Sequence, residues 1–301
     1  MITNLQHIEK CPLCGETQFI HFQTCEDYFV SHETFSLYKC CNCQFVFTQD
    51  VPIGSDKERY YQTDDYISHS DTQKGLVNRV YHYVRGIMLR RKTRLATKGK
   101  RYGGLLDVGC GTGYFAASVQ RKGWKAVGVE PIETAAEIAR SKFNVHVLSP
   151  ENMKELFHCQ FDTITLWHVL EHLENLNESM ALFSKLLCED GKLIIALPNR
   201  TSCDAVKYGA SWAAYDVPRH IWHFSPKTFR LLAQKHNYTI TAVKPMPFDA
   251  FYISILSEKY KNRKYPLLRG IFSGITGYIV SLFNRKKSSS LIYVLKKSMV
   301  V

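Results

Sequence analysis

The run Leu105-Leu106-Asp107-Val108-Gly109-Cys110-Gly111-Thr112-Gly113-Tyr114-Phe115 decides the fold. A short apolar strand leads into three glycines at alternating positions, and a helix-compatible run begins at once. Glycine tolerates tight turning and carries no Cβ, so a ligand can approach backbone N–H groups at the start of the following helix. Dinucleotide enzymes also use such loops, with the spacing G-x-G-x-x-G/A. Gly109 and Gly111 fit the start of that pattern, but position 114 is Tyr. Asp107, ahead of the glycines, offers a carboxylate to a cationic ligand such as an aminoacyl ammonium.

Outward from this loop, short apolar strands alternate with amphipathic helices from Gly103 to about Lys244, which predicts βαβ units and a parallel sheet. The strands read as Leu105–Val108, Ala126–Val129, Val145–Leu148, Thr163–Leu166 and Leu193–Leu197. A helix from Phe115 to Lys122 is expected to stop at Gly123, and another to start at Pro226 with Ser225 as its N-cap.

The segment D-V-G-C-G-T-G resembles motif I of class I S-adenosylmethionine-dependent methyltransferases. By that resemblance, Glu130 at the end of the second strand is the acidic residue that holds the ribose hydroxyls. A carboxylate suits this task because it can accept both protons in one plane. Phe161-Asp162 and Trp167-His168-Val169-Leu170-Glu171-His172-Leu173 resemble the fourth-strand motif of the ubiquinone-type and sugar-type branches, and Gly191 to Asn199 resembles the turn and fifth strand. The similarity covers residues 100 to 245. It implies a Rossmann-like, seven-stranded, mostly parallel sheet with an antiparallel last strand. It also implies S-adenosylmethionine as cofactor, bound by Asp107, Gly109, Cys110, Gly111, Gly113, Glu130, Trp167 and His168. Tyr238–Val243 and Leu291–Leu295 fit the closing strands, with an insertion at 246–289.

Six of the ten cysteines fall within the first 43 residues. Cys11-x-x-Cys14 and Cys40-x-x-Cys43 form two pairs that can supply four thiolates to a structural zinc ion. Cys25 and Cys41 read as ordinary thiols. Residues 1–50 are therefore expected to form a zinc-ribbon-like module. Residues 51–102 read as a connector holding Tyr60, Tyr61 and Tyr66 and a basic helix, and residues 103–301 as the methyltransferase domain. Similar zinc modules precede the methyltransferase domain of bacterial sugar C-methyltransferases, which favours a small-molecule substrate.

Beyond the fifth strand, Tyr208 to Phe224 gathers Asp216, Arg219, His220, His223 and several aromatic residues in an irregular segment. Histidine titrates near neutral pH, so His220 or His223 could serve as the general base of a methyl transfer. An equally weighted reading makes either ring a hydrogen-bonded core residue.

Hydrophobic residues make up 45% and charged residues 22%, the balance of a soluble globular chain. The first residues show no apolar run with a cleavage site, so a cytoplasmic location is expected. The net charge of +12 concentrates in two stretches. Between Lys74 and Arg101 there are ten Lys or Arg residues and no Asp or Glu, and the second stretch runs from Lys259 to Lys287. Such stretches admit nucleic acid or acidic lipid as a partner, or simply a solvated helix face. The apolar run in the insertion could lie on a membrane surface, cover the site as a lid, join two copies, or pack on the core. The expected activity is methyl transfer to a sugar, a glycan or lipid intermediate, or a quinone-like precursor. The rivals are an RNA methyltransferase and a non-catalytic cofactor-binding module. Leu197-Pro198-Asn199-Arg200 departs from the tetrad of amino-methylating nucleic-acid enzymes, which disfavours nucleic acid.

Overall fold

The computed structural model describes residues 4–61, 76–158 and 160–298, so Tyr66 and Lys74 lie outside the described residues. The strands, in chain order, are β1 (Leu5–Gln6), β2 (Phe19–Glu26), β3 (Thr34–Cys40), β4 (Val46–Thr48), β5 (Val51–Pro52), β6 (Gly104–Val108) and β7 (Lys125–Val129). They continue with β8 (His146–Leu148), β9 (Phe161–Trp167), β10 (Leu187–Pro198), β11 (Trp222–His223), β12 (Tyr238–Pro245) and β13 (Ser290–Lys297). The basic run forms a helix, Leu76–Thr97.

Seven strands form one sheet in the order β8-β7-β6-β9-β10-β13-β12. The sheet is mostly parallel, with the antiparallel last strand β13 placed between β10 and β12. Parallel strands covered on both faces need near-continuous apolar runs, and Leu105, Leu106 and Val108 of β6 are all buried. The chain leaves β6 for β7 on one side and reaches β9 on the other, so the sheet changes direction at β6. Ligands bind beyond the carboxyl ends of strands at such a switch point.

The glycine loop ends with Gly113 at φ +79°, which opens the helix Tyr114–Gln120. The helix at Pro226 starts where the sequence places it: Ser225 accepts the Thr228 N–H, and the Thr228 hydroxyl answers at the Ser225 N–H, a full capping box. The fifth strand is longer than its apolar core, because Leu187–Pro198 is extended throughout. The turn expected at Gly191 is replaced by strand, and a Cβ there would come 2.9 Å from the Cys188 carbonyl oxygen.

A second sheet, ordered β11-β4-β3-β2, is built from the cysteine-rich block and completed by a distant strand. Trp222 pairs with Phe47 and His223 with Val46. Part of the segment read as irregular is thus an edge strand of the module's sheet. The reason is hydrophobic. Cys25, Phe35, Leu37 and Val46 share a buried cluster with Trp212, Tyr215 and Val217. A block this small has little apolar surface of its own to bury.

The described residues divide into two compact units. One lies within Met1–Thr63, Leu170–Asn177 and Ala196–Tyr293, and the other within Asp64–Val169, Glu178–Ile195 and Val294–Val301. In the first unit the 246–289 insertion folds as two helices, Asp249–Tyr260 and Pro266–Phe283.

Candidate functional site

The glycine loop sits in the second unit, at the ends of three paired strands. Val108 of β6 lies in register with Val129 of β7 and with Leu166 of β9. The next residues along the three strands are Gly109, Glu130 and Trp167, so strand register alone places them in one row. Gly109, Gly111 and Gly113 all have positive φ, at +68°, +52° and +79°. A Cβ on Gly109 would collide with the Val169 side chain, and one on Gly113 with Ala139 at 2.6 Å, whereas Gly111 faces open space. Two of the glycines are thus required by packing, and the third leaves room beside the backbone.

Glu130 is buried at this row. Its Oε2 accepts the Gly111 N–H at 2.8 Å, and its Oε1 accepts the Ile132 N–H at 3.1 Å. Burial raises its pKa while the two amides work in the opposite direction. Asp107 accepts the Thr165 hydroxyl at 2.7 Å. Burial lifts its carboxyl to about 7, against the Thr165 hydrogen bond and the attraction of Lys92. Cys110 is buried, and a Cβ on Gly128 would meet its sulfur at 2.5 Å, so Cys110 closes the loop against β7. Trp167 packs edge-on against Phe115, with Lys92 Nζ 4.4 Å from the centre of its ring. Its indole N–H is buried without a hydrogen-bond acceptor among the described residues. His168 follows at φ +60°, a left-handed conformation uncommon outside glycine.

In the first unit, the two cysteine pairs form matching knuckles. Gly15 N–H donates to the Cys11 carbonyl at 2.9 Å, and Gln44 N–H to the Cys40 carbonyl at 3.1 Å. Gly15 and Gln44 both have positive φ, at +77° and +65°. The sulfurs of Cys11, Cys14, Cys40 and Cys43 lie within 4.8 Å of one another, with Cys11–Cys43 and Cys14–Cys40 both at 3.5 Å. A tetrahedron of thiolates at zinc–sulfur distances has edges of about 3.8 Å, so the four residues fit a zinc ion. Cys25 is outside this set; it is buried, and its thiol is pushed up to about 12 by that burial. Cys41 is exposed.

The histidine segment is in the same unit. Arg219 is wholly committed to structure: its Nη2 donates to Asp27 at 2.8 Å and to Asp216 at 2.7 Å, and its Nη1 to the Tyr60 carbonyl at 3.0 Å. His223 is buried, with Nε2 2.9 Å from the Thr48 hydroxyl. Burial holds its pKa well below the ordinary imidazole value. His220 is placed differently. Its Nδ1 donates to the Ala214 carbonyl at 2.9 Å, which leaves Nε2 as the acceptor, 3.8 Å from Asp216. His172 packs edge-on against His220 at 4.5 Å and donates from Nδ1 to the Arg219 carbonyl at 3.0 Å. Glu171, His172 and His220 each bring a ligating atom within 4.8 Å of the others.

A family model described as a methyltransferase domain matches residues 80–243, more than half of the chain. The chain belongs to the class I methyltransferase family. Among curated proteins, it is 26% identical over 186 residues to the ubiquinone biosynthesis O-methyltransferase of Pelagibacter ubique, a match covering 57% of this chain and 76% of the relative. It is 28% identical over 141 residues to the enzyme of the same name from Xanthomonas euvesicatoria, covering 44% of this chain and 58% of that protein. Among solved structures, the cyclopropane synthase MmaA2 of Mycobacterium tuberculosis shares the fold, with a TM-score of 0.51 at 15% identity over 79% of this chain and 95% of that one.

The row in this methyltransferase fits S-adenosylmethionine. Open space beside Gly111, a carboxylate at Glu130 and the unpaired Trp167 indole N–H are what a nucleoside with an amino-acid arm would need. Reading the sequence alone misses Lys92 and Thr165, which act on Asp107 against its burial. Their only sequence trace is a basic residue in a helix and a Thr in a strand, and neither is distinctive. Glu171 and His172 stood in the quoted motif, but no spacing rule joins them to His220, 48 positions on.

Proposed function

We propose that this methyltransferase moves a methyl group from S-adenosylmethionine to a small-molecule acceptor, with His220 taking the acceptor's proton. One observation carries the cofactor reading: Gly109, Glu130 and Trp167 follow strand positions that are in register, at the point where the sheet reverses direction. Glu130 is the carboxylate that would hold the ribose hydroxyls, and Asp107 the one that would face the ammonium. Gly109, Cys110, Gly111 and Gly113 would form the wall of the loop, with Trp167 and His168 beside the methionine arm. When bound, S-adenosylmethionine supplies an electrophilic methyl on a sulfonium.

The chain's own contribution on the acceptor side is a positioned base. The Ala214 carbonyl can only accept, so His220 carries its proton on Nδ1 and presents the Nε2 lone pair. Asp216 Oδ2 lies 3.8 Å from that Nε2. His223, the other candidate, is spent on Thr48, and we assign it to structure. Alignment of donor and acceptor supplies much of the acceleration in such a transfer.

A quinone-like or related hydroxylated acceptor agrees with the names of the relatives above. A nucleic acid is disfavoured by Leu197-Pro198-Asn199-Arg200, where Leu197 stands in place of the Asn or Asp that opens the tetrad of amino-methylating nucleic-acid enzymes. The four zinc-binding thiols support a reducing, cytoplasmic setting. The test is calorimetry with S-adenosylhomocysteine and NAD, followed by a methylation screen over catechols, nucleotide sugars and unmodified RNA. Binding of the homocysteine nucleoside without NAD, and turnover of a small hydroxylated acceptor, is expected. Methylation of RNA alone would overturn the acceptor class, and binding without any turnover would favour a cofactor-binding module.

A further inference from the structure

The helix Pro266–Phe283 is amphipathic in the inverted sense. Its inward face is made of small residues: Gly270, Ser273, Gly274, Gly277 and Ser281 are all buried. They let the helix lie close against its neighbour Asp249–Tyr260. A Cβ on Gly270 would come 2.5 Å from the Ile255 backbone, and one on Gly274 would come 2.6 Å from the Phe251 ring. The large apolar residues point the other way. Leu268 and Phe272 are 67% and 71% exposed, and Leu282 and Phe283 are 63% and 88% exposed, with Ile275 and Ile279 exposed between them. Positions 268, 272, 275, 279 and 282 recur at helical spacing, so they form one continuous stripe. A helix facing water would show the opposite pattern, and an apolar stripe of this length on a soluble surface marks an interaction site.

The charge around the stripe names the occupant. From Lys259 to Lys297 the sequence holds no Asp or Glu. At the end of the helix, Arg200, Lys227, Arg230, Lys286 and Lys287 line a cavity of about 530 Å³ with no acidic residue in its wall among the described residues. The Nε of Arg200 is buried there without a hydrogen-bond partner among the described residues. Apolar side chains flanked by Lys and Arg suit a bilayer surface carrying anionic headgroups, where the stripe enters the acyl boundary and cations meet phosphates. The helix is long and apolar enough to cross a bilayer by length and composition, but its buried small residues run along its length against Asp249–Tyr260, which favours a place on the bilayer surface. The chain at its far end is also held to the same unit through Asn199.

We infer that the outward face of Pro266–Phe283 docks this enzyme on an anionic lipid surface, with the basic cavity at the end of the helix receiving lipid phosphates. The stripe and the basic cavity share no residue with the cofactor row or with the four cysteines, although Gln44 of the second knuckle lines the cavity, so the inference stands whatever the methyl acceptor is.

The test is vesicle co-sedimentation of the full chain, with phosphatidylcholine alone and with phosphatidylcholine mixed with phosphatidylglycerol, at low and high salt. Binding is expected only to the mixed vesicles and is expected to weaken as salt rises. Replacing Leu268, Phe272 and Phe283 by Ser removes exposed side chains, so melting should be unchanged while partitioning falls by ~10-fold or more. Replacing Lys227 and Lys286 by Ala should weaken partitioning by about fivefold each. Absence of binding to the mixed vesicles would overturn the inference, as would equal binding to both vesicle types. So would a wild-type dimer in light scattering that the triple Ser variant turns into a monomer, since the stripe would then be covered by a second copy.

Discussion

Thr48 donates its hydroxyl proton to the His220 carbonyl at 2.8 Å and lies 2.9 Å from Nε2 of His223. A hydroxyl has one proton, so the second contact requires His223 to donate from Nε2, which fixes its neutral tautomer. One threonine of the cysteine-rich sheet therefore holds both histidines of the later segment. Thr48→Val leaves the His220 carbonyl and the His223 N–H buried without a partner. The variant is expected to lose ~1–3 kcal/mol of stability, read from urea unfolding. An unchanged midpoint would mean that the contact contributes nothing.

One zinc ion per chain is expected to co-purify. Cys40→Ser should lose it, because a closed tetrahedral thiolate site needs all four sulfurs. Since β4 leads out of the second knuckle and pairs with β11, metal removal should also loosen Trp222 and His223. Elemental analysis checks the first point, and hydrogen exchange at Trp222 and His223 with and without chelator checks the second. Full metal content in Cys40→Ser would exclude the assigned ligand set.

Glu130→Ala is expected to weaken S-adenosylhomocysteine binding by ~1.5–3 kcal/mol, the scale of a hydrogen bond to a charged group. It also frees the Gly111 and Ile132 amides, so some loss of stability should accompany it. Glu130→Gln separates the effects, since the amide oxygen can still accept one of these bonds. Calorimetry showing wild-type affinity in both variants would remove Glu130 from the site.

Acid should destabilise the chain through His172. Its pKa is lowered to about 3, first by burial and then by the neighbouring His220, with Lys57 acting in the same direction against Glu171 and Asp216. The unfolded chain takes up this proton near the ordinary value of 6.5 and the folded chain resists it. The contribution is therefore complete above that value and falls with pH down to about 3, by up to ~1.4 kcal/mol per pH unit. Buried His223 adds to the same slope. His172→Asn, which can still donate to the Arg219 carbonyl, should show a shallower decline in denaturant midpoints between neutrality and mild acid. An identical slope would assign the acid sensitivity elsewhere.

His220→Ala is expected to keep cofactor affinity and lose turnover by ~10²–10⁴-fold, the usual effect of removing a positioned base. His223→Ala should instead lose stability, because its ring is buried against Thr48 and Tyr215. Near wild-type turnover by a folded His220→Ala protein would leave catalysis to donor–acceptor alignment.

The sheet and the row of Gly109, Glu130 and Trp167 were legible in the sequence because they depend on local rules. Apolar runs set the strands, three glycines of positive φ set the loop, and Glu130 follows its strand by one position. The knuckles were legible for the same reason, since each needs only a C-x-x-C turn. The pairing of β11 with β4 was not legible: two residues make a strand only when a partner supplies the hydrogen bonds, and that partner lies about 175 positions away. The commitment of Arg219 to Asp27, and the meeting of His172 with His220, likewise depend on side chains brought together by a shared core. The inversion of Pro266–Phe283 was also invisible, because a sequence states which residues share a helical face but not which face the protein covers. That choice is made by close packing: only the glycine and serine face lets two helices approach, and the large side chains are left outside.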